Sequence, residues 1–570
     1  MKQIIDATML AVAVGGLALT AVAEPQPAPQ QPADTLFLHG TIITMEGPQA
    51  QAQAVAVKGG RILAVGSDAD IFALKGRGTK IVDLSGKTML PGLIDAHGHI
   101  SLLASSVDWA QLSPPPVGPV KDLLSLQQAL RTYATSHPKG WIVGNGYDDS
   151  LMPEQRHPTR QDLDIVSTDR PIMVVHVSAH FAALNTKGLE MLDLLHPDPD
   201  PKDGAVRREA DGATASGVVE ESMMRLALGK LPQPTMDQRL RLLTKAQHVY
   251  ASYGLTTAQD GAATEADVAM WREAVRRHAL FIDVDVLPVL APAWPERDKL
   301  PFNAGYQNHL RYAGVKVFVD GSPQGRTAWL TEPVPVPPPG KDKSYRGYPQ
   351  MTDAGLHALL AKAADHGWQL FAHVNGDAAI QQLIDGVRSV DAEGKQMERT
   401  IAIHSQTART DQLAAMKALD IQPSFFASHT FYWGDWHRDV ALGPARAARI
   451  SPQREAFDVG LRPTTHNDSP IVPPDMMRLI WSSVMRLTRS GQVLGAAERV
   501  TPYEALEEIT SNAAWQLHED RDKGTIRPGK LADLTIVDAN PLTIAPERLD
   551  KIRILQTIKE GRTIFVAGAR

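Results

Sequence analysis

The spacing of apolar positions changes character several times along the chain. From Leu36 to Leu84 short apolar runs alternate with glycine turns, as in Leu36-Phe37-Leu38-His39-Gly40, Ala54-Val55-Ala56-Val57 and Arg61-Ile62-Leu63-Ala64-Val65-Gly66. Runs of this kind predict β-strands, and the last two, joined at Gly59-Gly60, predict a hairpin. Ile81-Val82-Asp83-Leu84 then leads into Met89-Leu90-Pro91-Gly92-Leu93-Ile94-Asp95-Ala96-His97-Gly98-His99-Ile100, around which the rest of the chain can be arranged. Asp122 to Ser136 carries Leu123, Leu126, Leu130 and Tyr133 at helical spacing, whereas Ile172-Met173-Val174-Val175-His176 reads as a buried strand. The segment from about 101 to 245 is long for one strand-to-helix step and predicts a subdomain over a pocket.

From Gly254 onward strands and helices alternate. Strand-like runs fall at 254–258, 281–286, 314–320, 369–373, 400–404, 421–424 and 462–468. Repeated βα units of this length predict an α/β fold with a parallel barrel. Thr501 as N-cap, Pro502 in the first turn and Glu504 closing a capping box predict a helix that runs to about Leu517. Past Gly524 β character returns at 532–538, 552–555 and 563–566. These strands are expected to pair with residues 35–88 in one β-sandwich, so that both chain ends enclose a barrel spanning 89–520, with 521–570 as the second sandwich part.

The first residues break this pattern. Lys2 precedes an apolar run from Thr8 to Leu19, and Ala21-Val22-Ala23 forms a small-X-small site before Glu24. This predicts a cleavable signal peptide at 1–23 and a periplasmic or secreted protein. The run is short for a stable membrane span. Residues 24–34, rich in Pro and Gln, read as a flexible lead-in.

Composition narrows the function classes. The 570 residues carry a net charge of −6 from 58 basic and 64 acidic side chains, without long runs of one sign, so nucleic acid is not an expected partner. The expected partner is a small-molecule substrate, and a homodimer is the assembly considered. There is no cysteine, which excludes disulfides, thiolate metal sites and a cysteine nucleophile.

Candidate chemistry begins with His97 and His99. Alternation along an extended strand places both on one side, where two neutral imidazoles can share a divalent metal. Gly98 between them lets the backbone pass closely. Lys316, His373, His404 and Asp468 lie at or near the ends of further predicted strands, and strand ends of a parallel barrel converge on one mouth. Imidazole and carboxylate suit zinc with a position left for water, and Asp468 is the candidate proton acceptor. Taken singly, His373 and His404 are more often hydrogen-bonded structural residues, Lys316 an inward lysine paired with an acid, and Asp468 a turn cap. Together, in barrel order, they favour a metal centre.

The motifs that carry these residues also carry a resemblance. They are 90–99 (Leu-Pro-Gly-Leu-Ile-Asp-Ala-His-Gly-His), 315–322, 373–377, 403–406, 467–470, 511–514 and 524–533. With them in order, the chain resembles the amidohydrolase superfamily of metal-dependent hydrolases, in the branch of N-substituted formamide deformylases and YtcJ-like proteins. The resemblance implies a distorted (β/α)8 TIM barrel with a β-sandwich, and hydrolysis of a non-peptide C–N bond of amide, N-formyl or N-acyl type. A lactonase, an esterase or a ring deaminase on the same scaffold is the alternative, and a non-catalytic regulatory protein a further one. It also implies that His97, His99, His373, His404 and Asp468 occupy metal and base positions, with one or two divalent ions, zinc foremost. Lys316 matches a position that some members carboxylate to bridge two metals. One departure is His466-Asn467-Asp468, where the family more often has a small residue and Ser before the Asp. His180, Asn185, Glu220 and Arg326 are candidate substrate contacts, and Phe425, Phe426, His429, Tyr432, Trp433 and Trp436 a candidate apolar wall.

Overall fold

The computed structural model describes residues 31–568, apart from 180, 202–203, 291–293, 303 and 339–340. The expected signal peptide and most of the expected lead-in lie outside the described residues. The last of that lead-in is tied to the fold: Ala33 is buried and its N–H donates to the Leu74 carbonyl.

The chain is a mixed α/β fold. Strands from both ends share one six-stranded sheet, in the order Arg562–Val566, Ile554–Lys559, Leu534–Val537, Thr88–Pro91, Thr41–Ile43, Gln51–Ala52. A four-stranded sheet of Arg61–Gly66, Ala54–Lys58, Thr35–Leu38 and Lys80–Asp83 packs against it. Phe37, Val55 and Ile62 from the latter share one apolar cluster with Met89, Ile536 and Ile558 from the former. The hairpin at Gly59-Gly60 is formed, with φ of 55° and 78°, a region that glycine enters without steric cost.

Between the ends run parallel strands in consecutive sequence order. Leu93–Ile94, Leu255–Ala263 and Asp283–Pro288 form one sheet with Leu310–Tyr312 at its edge. Val315–Phe318, Leu370–Val374, Thr400–His404, Ile421–Phe425 and Thr464–Thr465 form a second. An isolated parallel bridge between Val289 and Lys316 joins the two. Val315–Phe318, Leu370–Val374 and Thr400–His404 are almost wholly buried, which is why they read as largely apolar runs. On one face Val315, Val317 and Leu370 pack under Leu356, Leu360 and Leu383 of the intervening helices. On the other, Ile94, Phe371, Ile401 and Ile403 meet Leu517.

The capping box of Thr501 and Glu504 is present, but the helix it opens stops at Glu508, and a second helix occupies Ser511–Gln516. The break has a use: the Ile509 carbonyl is freed to accept from Ile94 N–H at 3.0 Å, which fixes the short strand before the histidine pair. Residues 101–235 contribute a six-stranded sheet of their own, in the order Gly204–Arg208, Ala215–Glu221, Phe181–Leu184, Ile172–His176, Ile142–Tyr147, Ala110–Gln111. Its expected helix is Leu123–Ser136, capped by Asp122.

A buried ion network ties the terminal sheet to the parallel one. Asp283 lies 2.7 Å from Lys523 Nζ and 2.8 Å from Lys559 Nζ, and Lys559 also meets Asp533 at 3.0 Å. Among the described residues no helix is long and apolar enough to cross a membrane.

Candidate metal centre

The strand Leu93–Ile94 ends before the histidine pair, so His97 and His99 are not on an extended strand as alternation suggested. They occupy the turn leading into the helix Ile100–Ser106. His99 bridges to Asp260, and its N–H donates to the Ser469 carbonyl at 2.7 Å, which draws the backbone away from the sheet. The two rings still come together, with centroids 5.0 Å apart. Two glycines permit this. A Cβ on Gly98 would lie 2.4 Å from Asp95 Oδ2, and one on Gly261 would lie 2.3 Å from His97 Cε1.

The other candidates gather around this turn. Asp468 Oδ1 lies 3.1 Å from His99 Nε2 and 3.6 Å from His97 Nε2. Lys316 Nζ stands 3.1 Å from His97 Nε2. It is the second residue of its strand, deeper than the strand end expected for it. The His404 ring is 5.8 Å from that of His97 and 4.6 Å from that of His373. His404 and Asp468 adopt left-handed backbone, with φ of 71° and 52°. Such positions cost about 1–3 kcal/mol each for a non-glycine residue and cluster at functional sites.

Burial sets the protonation states. It pushes the His97 ring well below the usual imidazole range, with the nearby Lys316 adding to the effect, and does the same to His404 with help from His373. Both rings are therefore neutral and hold a lone pair. Burial alone would raise the Asp468 carboxyl, but His99, His404 and His97 hold it well below the usual carboxylate range. Lys316 is brought down by burial to about 7, against a partial pull from Asp468. Asp95, buried below the pair, is pushed up to about 8.

This donor set fits a divalent cation of the zinc class: neutral imidazoles, an ionised carboxylate, and the buried His404 Nδ1, which makes no hydrogen bond. His97 Nδ1 meets Gln259 Oε1 at 2.7 Å. That contact puts the proton on Nδ1 and leaves the Nε2 lone pair facing the cluster, as metal-bound histidines are commonly oriented. Among the described residues three groups of acid and imidazole come within ligand range of one another: His97/His99/Asp468, with His373 and His404 farther out, Asp148/Asp149/His176 and Asp283/His309/Glu560. The last two are otherwise engaged. In the Asp148 group, Ser178 N–H donates to His176 Nδ1, so Nε2 bears the proton and lies 3.0 Å from Asp149. In the Asp283 group, the lysines already neutralise Asp283.

The remaining candidates are placed as follows. His180 lies outside the described residues. Arg326 donates from Nη1 to the carbonyls of Val336 and Pro337 and lies 5.5 Å over Trp436, so its described hydrogen bonds hold a loop rather than reach the cluster. Asn185 caps the helix Thr186–Leu192: Oδ1 accepts from Ile172 and Gly188, and Nδ2 donates to Ser167 and Arg170. Its amide is thus committed to structure. Glu220 is paired with Arg207. The aromatic residues divide. Phe425 packs into the helix-side core, whereas Phe426, Tyr432 and Trp433 form a wall whose Phe426 ring is 6.3 Å from His404. A cavity of about 780 Å³ under the inserted sheet, with Trp109, Trp141, Val175 and Met224 in its lining, reaches Ser101 and Ile471, just beyond His99 and Asp468.

Three residues at the cluster were not singled out as functional by the sequence: Gln259, Gly261 and His466. The first two sit inside an ordinary strand, Leu255–Ala263, and carry no motif. His466 was visible only as a departure from the family pattern. It is fully buried, with its ring 5.2 Å from His97 and 5.1 Å from His404.

The chain is similar to N-substituted formamide deformylase of Arthrobacter pascens, at 26% identity over 93% of this chain and 97% of that protein. It is similar to the putative amidohydrolase YtcJ of Bacillus subtilis (strain 168), also at 26%, over 92% of this chain and 98% of that one. Among solved structures, an uncharacterized metal-dependent hydrolase from Pyrococcus horikoshii superposes with a TM-score of 0.72 at 25% identity, over 90% of this chain and 99% of its own. The profile of the amidohydrolase family matches residues 80–565, from the strand Lys80–Asp83 to the last strand of the shared sheet, and the chain belongs to that family.

Proposed function

We propose that this protein is a metal-dependent hydrolase that cleaves a non-peptide C–N bond of amide, N-formyl or N-acyl type. One observation carries the reading: six side chains drawn from residues 97 to 468 gather in one largely buried cluster, in which His97 and His404 are neutral and Asp468 is ionised. The parallel strands support it. From Leu93 to Thr465 they follow sequence order, and Gln516 spans their two ends, donating to the Ala96 carbonyl and accepting from Thr464 Oγ1. We read them as a distorted (β/α)8 barrel, with the terminal sheets as a β-sandwich beside it.

His97, His99, His373, His404 and Asp468 are the holders of the ion, and Lys316 stands between the two histidine pairs. A bound zinc-class ion supplies Lewis acidity, polarising a carbonyl and lowering the pKa of water. Asp468, ionised and only slightly exposed, takes the proton of the attacking water and returns it to the leaving nitrogen. Lys316, with a neutral fraction near pH 7, is a free amine able to take up carbon dioxide as a carbamate, which would add two oxygen donors. Phe426 and Trp433 exclude bulk water from one side.

The test is elemental analysis of the purified protein followed by assay on N-formyl, N-acyl, cyclic-amide, ester and ring-amine substrates. The expected result is a bound divalent ion, activity on one of the amide classes, loss on chelation and recovery with zinc. Turnover of only esters, lactones or ring amines would assign the alternative chemistry. Absence of any bound ion or turnover would leave the regulatory reading.

A further inference from the structure

The position two residues before Asp468 separates this chain from the pattern it otherwise follows. His466 is fully buried; its ring meets the Ser424 backbone, and neither Nδ1 nor Nε2 makes a hydrogen bond of good geometry. A buried polar atom left unsatisfied is costly, and buried polar atoms in folded proteins almost always find a partner. The Ser424 backbone can satisfy one ring nitrogen, and the other, left unmet, points to a group that the polypeptide does not itself provide.

The surroundings say which group. The His466 ring centroid lies 5.2 Å from His97 and 5.1 Å from His404. Those separations match the 5.0 Å between His97 and His99 and the 4.6 Å between His373 and His404. His466 is thus spaced from the cluster as its members are spaced from each other. Phe426 closes the far side at 5.3 Å and offers no donor or acceptor to the ring. The backbone holds the residue firmly: its N–H donates to the Phe425 carbonyl at 2.9 Å, just beyond the strand Thr464–Thr465. The chain also repeats a device. His97-Gly98-His99 and His466-Asn467-Asp468 each place two ligand-type side chains at i and i+2.

We propose that His466 is a further metal ligand of this protein, binding through a ring nitrogen on the His404 side of the cluster. The proposal rests on the metal-dependent reading above and adds one imidazole to the set named there. A small residue at this position leaves that ligand place to water, to a modified lysine or to substrate; here an imidazole can fill it. The number of coordination positions left for substrate falls accordingly.

The experiment uses the full chain, stripped with a chelator and reloaded with Co(II). In the wild-type protein, exchangeable imidazole N–H resonances shifted by the cobalt are counted by NMR. Four are expected if His97, His99, His373 and His404 alone bind, and a fifth if His466 binds as well. Two variants, His466→Asn and His466→Phe, are titrated with Co(II) in parallel, with circular dichroism as the check on folding. The expected result is loss of the fifth resonance, a changed visible cobalt spectrum and a fall in affinity of about tenfold or more in either variant. Four resonances in the wild type, or spectra and affinities within about twofold of wild type in a folded variant, would overturn the proposal while leaving the metal-dependent reading intact. A wild-type chain that takes up no Co(II) overturns both.

Discussion

Gly261→Ala tests the geometry of the cluster without touching any proposed ligand. A Cβ at 261 would sit 2.3 Å from His97 Cε1, 2.7 Å from its Nδ1 and 2.9 Å from the Gly98 carbonyl oxygen. Ordinary non-bonded contact needs about 3.5 Å or more, so the ring or the strand must yield by about 1 Å. The ring has little freedom to do so, because Nδ1 is anchored at 2.7 Å to Gln259 and Nε2 faces Lys316 at 3.1 Å. Overpacking of this kind costs about 1–3 kcal/mol of stability. A zinc–nitrogen bond is about 2.0–2.1 Å long, so a 1 Å displacement removes His97 from bonding range. Disturbing the support of a ligand commonly costs about 10–100-fold in metal affinity, and that range is the expected loss. The assay is competition for zinc against a chromophoric chelator. Gly229→Ala, where a Cβ would meet nothing within 4 Å, is the control and should bind as wild type. A Gly261→Ala protein that is folded and holds zinc within about twofold of wild type would refute the placement of His97 in the site.

Three further outcomes follow from the same structure. Asp468→Asn should keep the fold and lose about 10²–10⁴-fold in kcat on the substrate identified, with metal content measured in parallel; full activity with zinc bound would remove Asp468 from proton transfer. For Lys316 the folded value of about 7 is below the unfolded value near 10.5, so between these the unfolded chain binds more protons and stability rises with pH. In metal-free protein the gain from pH 7 to 9 should be about 2–3 kcal/mol larger for wild type than for Lys316→Met, read by urea denaturation; equal gains would contradict the burial argument. Asp283→Asn strips a buried carboxylate from two lysines and should cost about 3–5 kcal/mol, seen as a lower denaturation midpoint without change in metal affinity.

How much of this was legible in the sequence depends on the element. The parallel strands announced themselves because strands buried on both faces are written in Val, Ile and Leu, and His373 and His404 fall at or beside their ends. The hairpin at Gly59-Gly60 and the capping box at Thr501 were legible because each is a local chemical signal. The exit from the helix at Glu508 was not, since the carbonyl it frees is claimed by Ile94, far away in sequence. For the same reason alternation failed at His97 and His99. The strand ends early because Ser469 and Asp260 pull on His99, and no local pattern encodes a long-range pull. Asn185 looked like a pocket residue and proved to be a helix cap, a role that an Asn before Thr-Lys-Gly could have suggested. Gly261 and Gln259 were invisible because their importance lies in what they face.

The pairing of Thr88–Pro91 with Leu534–Val537 has a consequence for how the protein is made. The strand that delivers the chain to the histidine turn gains this neighbour roughly 450 residues after it leaves the ribosome. Contacts so distant in sequence form late and slowly, because a long loop must close before they bring any gain. The nascent polypeptide therefore emerges with the His97–His99 turn on an unfinished edge, and the platform beneath it is completed only once Leu534–Val537 has been made. On the function proposed above, metal loading would belong to that last stage of biogenesis.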